Sequence, residues 1–472
     1  MRSSYETVIL GAGPAGTGSL VWAAQHGLLG SWLDDGVAVV ERRRPGGSLG
    51  DYPLTADSMG QSFLEALDGP CCEPLLDEVR ADPVTTEMER FRDRLPSLEL
   101  VDRFQRRLGA ALTAEFTRRP DSRLFTGTTA LAIQLEPGGS IGVVVADQHG
   151  RRDTIRAGSA VLALGGRQNT EWETVELVAG VRLSQWRRKI LTSHQLLSRG
   201  GVEQAERLLG DPARAPRVVI VGGAHSAFSS VWMLLERVCP SGFESAGVRV
   251  LHRSTPRVAY GSRGQAHADS YPFTESDVCQ ATGRVHRLGG LRGDGREVWR
   301  RMHGKPGTIA DRRAVAEPLE NLSVDELTRT LDMADLIVPA LGYRMATLPV
   351  FDQDFSPVAL AGTGPSVGPD AQLLGADGTP IPGLFGVGLG SGFVPPGAMA
   401  GEESFTGQQN SLWLYQHGLG ELIYHATRER AATQRRDFAA RKAAREREFH
   451  SVAASVGAAE AQNRGSDELS LM

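Results

Sequence analysis

The stretch Tyr5-Glu6-Thr7-Val8-Ile9-Leu10-Gly11-Ala12-Gly13-Pro14-Ala15-Gly16 decides how the chain is read. A short β-branched run stops at Gly11, and residues 14–28 continue small and apolar, with Ala15, Leu20, Val21 and Ala24 on one helical face. Val37-Ala38-Val39-Val40-Glu41 then reads as a buried parallel strand that ends on an acid. Strand, Gly turn, helix and strand form one βαβ unit, and each turn residue has a physical task. Gly11 permits the tight turn, Gly13 lets backbone N–H groups approach a pyrophosphate, and Gly16 lets helix and strand pack closely. Pro14 and Ala15 open a helix whose N-terminus offers partial positive charge to phosphates. Glu41 can accept hydrogen bonds from both hydroxyls of a ribose, and Arg42 beside it is counted with the nucleotide contacts. In a chain with 56 glycines a Gly triplet is common; the strand before it, the helix after it and the acid beyond make it specific.

Further along, residues 42–60 are loop-rich, and 61–120 are mostly helical with a charged, solvated middle from Glu87 to Arg94. Residues 124–165 read as a strand meander that ends at Ala163-Leu164-Gly165-Gly166, and helical patterns return from 191 to 209. A second βαβ unit starts at Arg217-Val218-Val219-Ile220-Val221, turns at Gly222-Gly223-Ala224-His225-Ser226-Ala227, and ends its second strand at Val250-Leu251-His252-Arg253. Residues 254–325 are polar and irregular. Asp335 to Tyr343 is another buried strand, Pro382 to Gly390 a last strand into a Gly turn, and a helix is expected from about 405. The charged stretch after about 427 reads as a solvated helix and frayed tail, with partner binding as the alternative. The expected architecture is α/β, with two Rossmann-like dinucleotide-binding domains, one inserted in the other. A discontinuous first domain takes 1–205 and 330–425, the inserted domain takes 206–329, and 426–472 is the tail.

At 472 residues the chain is too long for one ordinary core. A net charge of −5 gives no electrostatic reason to expect nucleic acid. No run of about 18 apolar residues predicts a membrane span, and the N-terminus lacks the pattern of a signal peptide, so the cytoplasm is the expected compartment. Cys71, Cys72, Cys239 and Cys279 have no CxxC or metal-ligand spacing; plain thiols and no metal are expected.

The second turn lacks a third glycine, and its context again carries the reading. Arg253 stands where the first unit has an acid, and a cation there suits a 2′-phosphate, so NADPH is favoured over NADH; a surface Arg without ligand is the alternative. His225 either caps the helix or, like Ser226, touches the nucleotide.

Gly386-Val387-Gly388 resembles the return segment that meets the flavin end of FAD in two-dinucleotide flavoproteins, and Ala163 to Gly166 resembles the strand leaving their FAD domain. The resemblance covers nearly the whole chain and implies FAD at the first turn, with Gly165, Gly386, Gly388 and Gly392 around it. Disulfide reductases of this kind need CxxxxC or CxxC, absent here. Gly222 to Ala227 is similar to the GxGQSA turn of the N-hydroxylating flavin monooxygenases, with His225 in place of Gln. Asp335 to Tyr343 is similar to their D-x3-(L/F)-A-T-G-Y motif: Asp335, Ala340, Gly342 and Tyr343 match, while Pro339 and Leu341 depart. The FxGxxxHxxxW fingerprint of Baeyer–Villiger enzymes is absent, as are the family's Trp-His pair after the acid and the residues that hold ornithine or lysine. The resemblance implies an FAD- and NADPH-dependent monooxygenase of secondary metabolism that N-oxidises a small amine or amino-acid-like metabolite with O2 through a flavin C4a-hydroperoxide. Its rivals are an NADPH-dependent reductase serving a quinone, protein or organic acceptor, and a non-catalytic flavin-bound sensor. Tyr52, Ser58 and Asn410 are the expected flavin-proximal residues, with loop packing and helix capping as the alternative for Tyr52 and Ser58. A homo-oligomer is left open.

Overall fold

The computed structural model describes residues 4–437 and 440, apart from 72, 169–170, 211–214, 240–241, 363–364 and 409–410. Tyr5–Leu10 occupies the middle of the larger sheet, paired in parallel with Val37–Glu41 on one side and Arg152–Leu162 on the other. Val8, Ile9 and Leu10 are fully buried, which is what an uninterrupted apolar run gains from a sheet covered on both faces. Arg123–Thr126 extends the sheet beyond Val37–Glu41, and Pro380–Gly386 joins it beside Arg152–Leu162. The eleven residues of Arg152–Leu162 serve two arrangements. Their first half closes an antiparallel meander with Ile141–Asp147 and Thr128–Leu135, and their second half runs parallel to the first strand. Leu10, Leu162 and Gly386 therefore end at one edge. In an open parallel sheet that edge is where ligands bind.

A second sheet has four parallel strands in the order Ala314–Pro318, Val248–His252, Val218–Val221, Leu336–Pro339. Leu336–Pro339 pairs with Val218–Val221 in this sheet, beyond the boundary expected at 329. On the other side Leu191, Leu196, Leu197 and Ala205 pack with Val218 and Ile220, and Trp172, Leu183 and Trp186 pack with Val219 and Leu327. The inserted unit thus begins before 206, because helices and loops preceding its first strand bury their apolar faces on its sheet. The chain crosses between units twice, at Gly166–Gln168 and Tyr343–Met345, and these crossings pair antiparallel.

Three expectations are corrected. The segment 254–325 is ordered: Arg263–Ala268 and Gly293–Met302 are helices and Ala314–Pro318 is a strand. Gly293–Met302 buries only Gly295, Val298 and Trp299 under a charged outer face, so its apolar signal is thin. The helix expected from about 405 starts at Leu412, where the Ser411 hydroxyl accepts the Leu414 N–H at 3.1 Å. The helix over 418–437 is docked and not solvated: Thr427 and Ala431 are buried. Its Arg428 reaches Glu6 at 3.0 Å and also Asp35, and the Gln434 amide donates to the Gly139 and Gly158 carbonyls. Of the residues beyond 437, only 440 is among those described.

Cys71, Cys239 and Cys279 are free thiols, and Cys72 lies outside the described residues. Among the described residues no helix is long and apolar enough to cross a membrane, and no His, Cys, Asp and Glu group is placed to hold a metal.

Arg428→Ala leaves Asp35 without its cation and Glu6 with Arg435 alone, and should lower stability by roughly 1 kcal/mol in urea unfolding. An unchanged midpoint would show that the terminal helix is held by its apolar face alone.

Candidate functional site

At the first turn the glycines divide into those the fold itself requires and one it does not. Gly11 has φ +100°, and a Cβ there would lie 2.3 Å from the Ala163 carbonyl oxygen. A Cβ on Gly16 would lie 1.9 Å from the Gly11 carbonyl oxygen. Gly13 is different: the nearest atom to a Cβ there is Gly47 Cα at 3.9 Å, so its backbone stays open to a ligand. Pro14 and Ala15 start a helix capped by Gly13 without any side-chain bond, which leaves its first N–H groups available. Glu41 ties the strand end to the turn, Oε2 accepting the Ala12 N–H at 2.8 Å and Oε1 the Arg43 N–H at 2.7 Å. A carboxylate has about four acceptor positions, so two hydroxyls can still be taken. Arg42 is exposed beside it.

A Cβ on Gly165 (φ +79°) would meet no atom within 4 Å, and one on Gly388 (φ +110°) would lie 3.2 Å from Ala15 Cβ, so both border the turn's open edge. Gly386 and Gly392 answer to packing as well. A Cβ would meet Val367 at 2.8 Å on Gly386 and Pro365 at 2.4 Å on Gly392, whose N–H donates to Gln408 Oε1.

A polar cluster beside this turn was not anticipated from the sequence. Asp102, Gln105 and Arg106 project from the helix Leu98–Arg118, with Arg106 on Asp102 at 2.8 Å and Gln416 donating to Gln105 at 3.3 Å. Asp102 Oδ1, Gln105 Nε2, Arg106 Nε and Gln416 Oε1 are buried without partners. Gly46, whose N–H donates to the Ala12 carbonyl, abuts Arg106, and Gly50 abuts Asp102, so the cluster borders the loop folded over the turn. Unmet buried polar atoms are costly, and a phosphorylated polyol would satisfy them. The donor set fits FAD. The signal in the sequence was polar residues at 102, 105 and 106 within the face that buries Leu100, Val101, Phe104 and Leu108.

At the second turn Gly222 has φ +144°, its Cβ position 2.4 Å from the Ala340 carbonyl oxygen, and Gly223 abuts His252. A cavity of about 540 Å³ runs from Leu319, Leu251 and Arg253 past the turn to Gly289 and Phe405. Arg253 is exposed and donates once, to the Glu176 carbonyl at 2.9 Å. Its free N–H groups and place on the cavity wall suit a phosphate, so the set fits NADPH. His225 does not cap its helix; Ala224 is the cap residue and no side chain bonds there. The imidazole Nε2 instead accepts the Arg292 N–H at 3.0 Å, and burial holds its pKa below the usual value, so the ring is neutral. The Ser226 carbonyl accepts the Ser230 hydroxyl. Asp335 acts away from the turn, accepting the Arg217 N–H at the opposite strand end, while Gly342 (φ +85°) sits at the return crossing.

The two units meet along a seam. The Thr55 N–H donates to Asp294 at 2.9 Å, and Gly293 approaches the Ala56 carbonyl. Tyr52 bonds His194 Nδ1 at 3.0 Å, with the Tyr343 ring 6.3 Å from that imidazole. Burial, then Asp51, raises the Tyr52 pKa; burial, then Tyr52, raises that of Tyr343, so both phenols stay neutral. Ser58 is half-buried and caps nothing, since Met59 stands at the cap of Gly60–Leu64 without a side-chain bond. Asn410 lies outside the described residues.

No family model matches the chain. The CMP-5'-(3-aminopropyl)phosphonate hydroxylase of Streptomyces rubellomurinus is 32% identical over 434 residues, spanning 89% of this chain and 97% of its own. The fold is similar to that of ornithine hydroxylase (PvdA) from Pseudomonas aeruginosa, with a TM-score of 0.51, 14% identity, and coverage of 90% of this chain and 99% of that one. It is equally similar to the cadaverine monooxygenase DfoA from Erwinia amylovora, at TM-score 0.51, 10% identity, and coverage of 90% and 95%.

Two substitutions check the cofactor assignment. Glu41→Gln should weaken FAD retention about tenfold, read as flavin content after dialysis, because one charge-assisted acceptor is lost. Arg253→Ala should raise the KM for NADPH by about tenfold or more while leaving that for NADH nearly unchanged; equal effects on both would remove the 2′-phosphate role.

Proposed function

The chain belongs to the two-dinucleotide-binding flavoprotein monooxygenase family, whose members are FAD- and NADPH-dependent oxidoreductases, and on that premise we propose that it N-hydroxylates a small primary amine. The reaction is R–NH2 + O2 + NADPH + H+ giving R–NHOH + H2O + NADP+. Bound FAD supplies the two-electron activation of oxygen, and the C4a-hydroperoxide route is part of this proposal.

One observation carries the reading. Two Gly turns, each at the carboxyl ends of parallel strands, adjoin one seam, which suits a hydride donor at one turn and its acceptor at the other. The residues then have distinct tasks. Gly13 and the helix start at Pro14 take the pyrophosphate of FAD, and Glu41 takes its ribose. Arg253 holds the 2′-phosphate of NADPH. His225, neutral and bonded to the Arg292 backbone, fixes the second turn against the seam. Tyr52 and Tyr343 border the seam as neutral phenols, and the loop over 48–58 with residues 400–407 excludes water there. An amine as substrate is supported by the aminopropyl group named for the Streptomyces relative, and by the ornithine and cadaverine named for the two structures. The cytoplasm, where NADPH is supplied, is the proposed compartment.

Mixing the protein with NADPH in the absence of oxygen should bleach its flavin, and admitting oxygen with 3-aminopropylphosphonate, its CMP ester, ornithine or cadaverine should yield a hydroxylamine. NADPH oxidation that gives only peroxide with every amine would sink this reading in favour of a reductase.

A further inference from the structure

The seam carries an unusual set of charges. Arg284 and Arg292 flank the turn over 285–291, and Arg287 lies within it. That turn is held from both sides. Tyr260 and Val285 exchange backbone hydrogen bonds on one side, and on the other Glu402, only 2% exposed, accepts the Leu288 and Gly289 N–H groups. Arg287 donates to the Ala400 carbonyl at 3.2 Å while its Nε is buried without a partner. Arg292 gives its backbone N–H to His225, and its neighbour Gly293 meets Ala56 of the loop over the first turn.

Other partly buried arginines, such as Arg106, Arg300, Arg301 and Arg313, each have a carboxylate within ion-pair distance. Among the described residues Arg284, Arg287 and Arg292 have none. Two acids, Asp57 and Glu402, offset part of this charge, neither within ion-pair distance of the three arginines. Glu402 is occupied by backbone N–H groups, and Asp57 acts on Arg292 only at longer range. Burial lowers the Arg292 pKa; the charges of Asp57 and Glu402 oppose this, and those of Arg284 and Arg287 add to it. Two half-buried cations and an exposed third, close enough to act on one another and with Arg287 Nε unpartnered, suit a multiply charged oxyanion. The nicotinamide cofactor is a poorer candidate, since none of the three lines the cavity at the second turn.

We propose that Arg284, Arg287 and Arg292 bind a phosphoryl group on the amine substrate, so that the substrate class is an aminoalkyl phosphonate or phosphate, free or as its nucleotidyl ester. This rests on the amine-oxidising reading above. Diamines and amino acids lack the phosphoryl group that fills the site, and the amine is placed in the seam by its anionic far end.

The test compares cadaverine, 3-aminopropylphosphonate and the CMP ester of the latter, scoring hydroxylamine formed, in the wild type and in Arg287→Gln, Arg292→Gln and Arg284→Gln. The phosphoryl amines should have kcat/KM at least about tenfold above cadaverine, and each variant should reduce that ratio chiefly through KM, with Arg287→Lys restoring part of it. Whichever phosphoryl amine is used better identifies the source. Binding of 3-aminopropylphosphonate is measured in parallel by 31P NMR titration. Titration by the wild type and not by the variants, with no amine oxidised, would overturn the oxidation reading and keep the anion site. Equal use of cadaverine, unchanged ratios in all three variants, or a rise in the KM for NADPH alone would overturn the proposal. Arg284 is exposed, so its variant should fold even where the half-buried positions do not.

Discussion

The close approach of the Ala163 carbonyl to Gly11, 2.3 Å from where a side chain would begin, is the constraint on which the molecule is built. It brings the end of Tyr5–Leu10 against the end of Arg152–Leu162, and Pro380–Gly386 adds its own end alongside. Three segments far apart in the chain thus deliver their carboxyl ends to one turn. Gly16, packed on the Gly11 carbonyl, brings the following helix in as tightly. A methyl group at either position would push apart the surfaces that a dinucleotide must bridge. The second unit repeats the device in shorter form, with Gly222 against Ala340.

Both βαβ units were legible because the first strand of each is an unbroken apolar run that stops at a glycine turn, at Gly11 and at Gly222. Where the sequence misled, charge or distance hid the pattern. The helix Gly293–Met302 shows solvent a face of Arg, Asp and Glu around two large buried residues, so its periodicity is faint. Leu336–Pro339 looked like the start of the returning domain, yet its place was set by pairing with Val218–Val221, which no local signal reports. At the candidate site the glycines that let backbone pack closely, Gly11, Gly16 and Gly222, could be read from position alone. Asp102, Gln105 and Gln416 could not, because their meaning comes from being buried together across the fold.

The seam is polar where the cores of the two units are not. It is closed by backbone bonds to side chains of the other unit, such as Thr55 to Asp294 and Leu288 to Glu402. Such contacts fix register more than they add stability. They hold the neutral His225 and the three unpaired arginines on one boundary, where a ligand's charge is worth more than in bulk water.

The nesting of one unit inside the other also orders the birth of the molecule. By Pro339 the ribosome has delivered every strand of the smaller sheet. The larger one still lacks Pro380–Gly386 and the helix over 418–437 that ties Arg428 to Glu6, a residue made at the outset. The strands of the inner unit can all be present while the outer one waits as a partial sheet, open along the second half of Arg152–Leu162. A chain that halts between residues 339 and 380 therefore carries every strand of the smaller sheet, while the larger sheet cannot yet close.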